Sequence, residues 1–144
     1  MAGQPLAHLL IDEIERQIQV DVGRHITALF EAARGGLWSA ASALAAAPPA
    51  RVGLITGFYV PLGSPPAAET DGPVGSALLA KGLVEVGISC RLATDEPCRS
   101  ACAAALAGVG AAGVPIDATD VIATIAAWRD AGITHAISIE RCGR

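Results

Sequence analysis

Glu69-Thr70-Asp71-Gly72-Pro73 sets two carboxylates, a hydroxyl and a glycine where a strand-like run, 52–58, gives way to a helix-like run from Val74 onward. Open α/β sheets hold their ligands at such junctions, beyond the carboxyl ends of their strands. One cap satisfies a helix start, so a second carboxylate two residues earlier, behind the Pro- and Gly-rich stretch 61–66, calls for another explanation. Asp71 is expected to cap the helix with Pro73 in its first turn, and Gly75 lets the helix start approach a ligand or strand closely. Exposed amides at that helix start can also hold an anionic group such as a carboxylate.

Further acids fall at equivalent places: Asp95 and Glu96, Asp117 and Asp120, then Glu140 beside Arg141. If the strands are parallel, all of these lie on one rim, which suits a divalent cation or a cationic amino group because hard cations prefer several oxygen ligands. For Asp95, Asp117 and Asp120 the plainer reading is a helix cap and dipole partner. Glu140 and Arg141 admit two readings, a base or metal ligand beside a carboxylate anchor, or a solvated ion pair.

Other chemistries find less support. The loop after the first strand, Gly57-Phe58-Tyr59-Val60-Pro61-Leu62-Gly63, is neither a GxxxxGK[ST] nor a GxGxxG phosphate loop. Thr56, Ser64, Thr70 and Cys142 are the candidate nucleophiles, but His135 lies near the start of its strand, at the opposite edge from Glu140, so a triad is geometrically poor. His8 and His25 have no evident partner in sequence. Cys90, Cys98, Cys102 and Cys142 contain no CxxC pair and read as buried or idle thiols.

The elements that must position these residues follow from periodicity. Residues 1–47 read as helices, with Leu6, Leu9, Leu10, Ile14 and Ile18 at helical spacing and breaks at Asp21-Val22-Gly23 and Gly35-Gly36. From 51 the pattern becomes short β-branched runs alternating with Ala-rich helices. Strands are expected at 51–56, 88–93, 113–116 and 134–139, and helices at 72–86, 98–107 and from about 120 to 130. That alternation predicts an α/β fold: a three-layer, Rossmann-like parallel sheet with helices on both faces, preceded by N-terminal helices. The 144 residues are expected to form one domain, 1–144, with the βαβ core in 51–144 and no covering helix after the last strand. The chain is therefore expected to be truncated at that end, or completed by another chain, and to form a homo-oligomer.

Hydrophobic residues make up 52% and aromatics 3%, so the core must be Ala, Leu, Ile and Val, with Gly allowing close approach. The net charge of −4 and the scattered arginines leave no basic stripe for a nucleic acid. The Ala-rich stretch 37–47 stops at Pro48-Pro49 and Arg51, so no membrane span is expected, and no secretory leader is evident. A cytoplasmic location is the expectation.

Ile55-Thr56-Gly57-Phe58, then Glu69-Thr70-Asp71-Gly72-Pro73-Val74-Gly75-Ser76, Thr94-Asp95 and Ile139-Glu140-Arg141-Cys142-Gly143-Arg144 together resemble the D-glutamate cyclase family. The segment from Asp21 to Phe30 is similar more loosely, and Cys142 stands where the family usually has proline. The family's domain continues past this ending into a second Gly-rich acidic block, so the resemblance is to its front half.

The resemblance implies a hydro-lyase that converts D-glutamate to 5-oxo-D-proline and water, with an amino-acid substrate and a divalent cation such as Mg²⁺ or Mn²⁺. It implies Glu69, Asp71 and Glu140 as catalytic residues that bind the metal or the substrate ammonium. Thr56, Gly57, Thr70 and Gly72 would line the substrate, and Arg141 or Arg144 would hold a substrate carboxylate. The alternative is a non-catalytic α/β module that binds a small molecule or metal, or a fragment completed by a partner chain.

Overall fold

The computed structural model describes residues 5–46, 49–117 and 120–141, so Arg144 and Cys142 lie outside the described residues. The chain divides into two compact units, Met1–Pro48 and Pro49–Arg144.

The first unit holds α1 (Leu6–Ile18), α2 (Thr27–Ala33) and α3 (Gly36–Ala45). Both breaks between them are built on carboxylates. Asp21 accepts hydrogen bonds from the amides of Gly23, Arg24, His25 and Ile26 and from the Thr27 hydroxyl. Glu15, buried on α1, accepts from the amides of Gly35 at 2.7 Å and Leu37 at 2.8 Å, which ties α1 to the start of α3. Those amide bonds hold the Glu15 carboxyl below its ordinary range. His8, unpartnered in the sequence reading, stacks on Trp38 with ring centroids 4.2 Å apart.

The second unit begins with β1 (Arg51–Thr56), followed by the short ribbon β2 (Tyr59–Val60) and β3 (Ala67–Ala68). Then come α4 (Asp71–Glu85), β4 (Ser89–Ala93), α5 (Glu96–Gly108), β5 (Ile116–Asp117), α6 (Val121–Asp130) and β6 (His135–Ile139). β5 shares only Ile116 with the strand expected at 113–116, whereas the other helices and strands fall close to the sequence expectation. The β2–β3 ribbon does not: a two-residue antiparallel pairing, Tyr59 with Ala68 and Val60 with Ala67, leaves too short a run to show alternation. The ribbon matters because it folds the 61–66 loop back and returns the chain to the sheet edge at Glu69.

All pairs in the main sheet are parallel, in the order β5-β4-β1-β6. Side chains alternate along β1, and the two helical layers can be read from it. Thr56 points at the start of α4, since a Cβ on Gly72 would lie 2.6 Å from its hydroxyl. Gly53, three residues earlier and so on the other face, lies under Trp128 of α6, whose ring would be 2.4 Å from a Cβ there. Helices thus cover both faces, in a Rossmann-like α/β layout.

The core is on the α4 and α5 side: Val52, Leu54, Leu92, Ala77, Ala80, Cys98, Cys102 and Leu106 are all at most 1% exposed. Burial pushes the Cys98 and Cys102 thiols up, which keeps them protonated and unreactive at neutral pH. The α6 side is thinner. No residue of α6 is buried, and Val121, Ile122 and Ile125 are exposed. Among the described residues no helix is long and apolar enough to cross a membrane.

Candidate functional site

Strand order decides what the rim residues can do together. Successive strands step from β1 to β4 to β5 in one direction, and β6 then returns to the other side of β1. The order reverses between β1 and β6, and ligands of open α/β sheets bind outside the strand ends at such a reversal. Thr56 and Ile139 pair as the last residues of those two strands. Glu140 follows one of them, and the start of α4 lies above the other.

There the carboxylates of Glu69, Asp71 and Glu140 converge, with one oxygen from each lying within 4.8 Å of the others. All three residues are exposed, and among the described residues no cation or hydrogen-bond donor pairs with their side chains. Close approach explains the glycine between them. A Cβ on Gly72 would sit 2.6 Å from Thr56 Oγ1 and 3.0 Å from the Glu140 Cβ, so only glycine lets α4 close onto both strand ends. Among the described residues the fully buried Thr56 hydroxyl has no hydrogen-bond partner, and the same is true of Ser76 one turn further along α4. An unpaired buried hydroxyl costs about 1–3 kcal/mol, so this wall of the site is not arranged for stability.

Two local expectations are corrected. Thr70, not Asp71, occupies the N-cap position of α4, and it makes no side-chain cap bond. Asp71 is the first helical residue, which leaves its carboxylate available to the cluster, and Pro73 is in the first turn as expected. Asp117 is not on the acidic rim. It is buried and accepts from Arg91 Nε at 2.9 Å, from a second Arg91 nitrogen, and from Trp128 Nε1 at 2.8 Å. Arg91 faces that side of β4, and its guanidinium draws the acid inward. Burial pushes the Asp117 carboxyl up, but the Arg91 and Trp128 bonds outweigh it and hold it below the ordinary range.

Glu140 and Arg141 part company at the end of β6. Glu140 has φ +48, a left-handed conformation that a glutamate adopts only when its surroundings impose it. Glu140 joins the carboxylate cluster, while Arg141 donates to the Gly57 carbonyl at 3.3 Å and pairs through two nitrogens with Asp95, one contact at 3.0 Å. Gly57, at φ +127, needs glycine both for that conformation and because a Cβ would meet the Thr94 hydroxyl at 2.6 Å. Arg141 therefore links the loops after β1, β4 and β6. The sequence reading missed Asp95 as its partner, because a helix-cap position gives no sign of an ion pair 46 residues away.

Beside this pair a cleft of about 250 Å³ opens on the α6 side, walled by Ile55, Ala93, Val121, Ile125 and Trp128 and edged by Asp95, Thr124 and Arg141. A larger hollow of about 660 Å³ lies at the opposite, amino-terminal edge of the sheet, away from every acid of the cluster. Three carboxylate oxygens at one point suit a hard divalent cation or a substrate ammonium, both of which favour oxygen ligands of negative charge.

No curated protein and no solved structure matched the chain. The family model described as D-glutamate cyclase-like, C-terminal, matches residues 14–144, which include both strand ends and every member of the cluster, and the chain belongs to that family.

Proposed function

We propose that the Glu69, Asp71 and Glu140 cluster is the site of a D-glutamate cyclase-like lyase, which closes D-glutamate to 5-oxo-D-proline with loss of water. The observation that carries this reading is the meeting of three carboxylates, without partners among the described residues, from segments some 70 residues apart, at the reversal of the strand order. Family membership supports the substrate class.

In the reaction the α-nitrogen forms a bond to the γ-carboxyl carbon, one γ-oxygen leaves, and two nitrogen protons depart with it as water. The ammonium must first lose a proton, and a cluster carboxylate would hold the ammonium and accept it. Passing the proton to the departing γ-oxygen returns the carboxylate to its starting state. Binding the substrate in a folded conformation supplies most of the remainder, because ring closure is intramolecular. In the alternative in which Glu69, Asp71 and Glu140 hold a Mg²⁺ or Mn²⁺ ion rather than the ammonium, the ion when bound would supply Lewis-acid polarisation of the γ-carboxyl group. Arg141 fits a substrate carboxylate, since its planar fork matches two carboxylate oxygens.

The test is formation of 5-oxo-D-proline from D-glutamate by the full chain, with and without each metal, followed by chromatography. Glu69→Gln, Asp71→Asn and Glu140→Gln are each expected to lower turnover by about a hundredfold or more, the scale of losing a proton-transfer group. Turnover unchanged in all three would sink the assignment. Calorimetric binding of metal and D-glutamate with no product would instead mark a binding module.

A further inference from the structure

We infer that the cleft between α6 and the ends of β1 and β4 takes a small organic carboxylate, and that Asp95 is the internal stand-in which this carboxylate replaces on Arg141. The inference rests on the preceding reading only in taking Arg141 as a carboxylate-holding residue.

The first observation is a comparison of two helix starts. Asp95 and Asp120 are both N-cap residues with extended backbones, at φ −71, ψ 148 and φ −74, ψ 123. Asp120 does what that geometry favours and accepts the amide of Ala123, three residues on, at 2.7 Å. Asp95 makes no side-chain cap bond and turns to Arg141 instead. The corresponding amide, that of Cys98, bonds the Asp95 backbone carbonyl at 2.9 Å. A cap is thus given up for an ion pair that water reaches, with side chains 32% and 42% exposed.

The second observation is what lies beside the pair. The cleft walls are apolar, and Arg141 is the charged donor on its rim. A ligand with a compact apolar body and one carboxylate meets both features. It would take the fork that Asp95 now fills, and Asp95 has a ready alternative in the cap position of α5. The exchange swaps one carboxylate for another on the same guanidinium, so no unpaired charge is left behind. Glu140 of the carboxylate cluster and Arg141 of this cleft are consecutive residues, parted at the left-handed turn of Glu140.

The experiment follows the indole N–H resonances of the full ¹⁵N-labelled chain during titration with sodium 5-oxo-D-proline, sodium D-glutamate or sodium chloride. Trp128 lines the cleft and Trp38 lies in the helical unit, so the two tryptophans report separately. Expected is a saturable shift of Trp128 and of the Cys98 amide with at least one carboxylate, and no shift of Trp38. Asp95→Asn, which keeps the capping group and removes the competing charge, is expected to tighten binding about fivefold, the scale of an exposed ion pair. Arg141→Gln is expected to abolish the shift.

A silent Trp128 in both the parent chain and Asp95→Asn, an equal response to chloride, or equal affinity in Asp95→Asn and the parent would each overturn the inference. A chain that binds in this way yet forms no lactam leaves the cleft standing and removes the lyase reading. Turnover with Trp128 silent does the reverse.

Discussion

Two groups of acids in the sheet unit have opposite surroundings. Asp117 is buried and accepts three hydrogen bonds, two from Arg91 and one from Trp128, while Arg99 donates to the carbonyls of Asp117 and Ile116. Glu69, Asp71 and Glu140 stand together in solvent, and among the described residues none of their side chains has a partner. A carboxylate in a low-dielectric interior must be paired, so the first group is explained by the fold that contains it. Like charges gathered without a counter-charge repel, and the fold gains nothing by bringing them together. The comparison therefore explains Asp117 by stability and leaves the cluster for the binding role proposed above, although both are acids near strand ends.

Arg91→Ala should give the largest change in stability. It leaves Asp117 buried with only Trp128, and the expected cost is about 2–3 kcal/mol, less than for a fully buried pair because Arg91 is partly exposed. Glu69→Gln should move stability by less than about 0.5 kcal/mol or raise it slightly, as expected of an exposed site freed of repulsion. Urea unfolding of both variants would decide, and equal losses would break the distinction.

Gly72→Ala sharpens it from the other side. The new methyl group must displace Thr56 or Glu140, for an expected net cost of about 1–2 kcal/mol after the better helix propensity of alanine is counted. Turnover should fall more than stability accounts for, since Glu140 is moved. A variant that is destabilised but fully active would show that Gly72 serves packing alone.

The smallest effect concerns pH. The Asp117 carboxyl is held below its ordinary value, so its contribution is fully present above the unfolded value, about 4, and fades as pH falls through the folded one. Stability measured from pH 5 downward should therefore decline less steeply in Asp117→Asn than in the parent chain. Parallel curves would refute the role given to Asp117.

Much of this was legible in the residues. The break at Asp21-Val22-Gly23, the strand 51–56, the helix closed by Ala131-Gly132 and the αL glycine Gly132 at φ +67 all follow from local preferences that need few distant contacts. The β2–β3 ribbon was not, because two-residue strands carry no period. Asp117 and Asp120, three residues apart, look equivalent as helix caps, yet only Asp120 caps, since the choice depends on Arg91 and Trp128 across the sheet.

The sequence by itself determined the order of strands and helices, the parallel alternation, and the residue types present at each strand end. Those are local matters of periodicity, turn chemistry and motif. Only the tertiary structure decided that β6 lies beside β1, which brings Glu140 to Glu69 and Asp71 and sends Arg141 to Asp95. Strand order is set by how whole faces pack, and no short segment of chain contains that information.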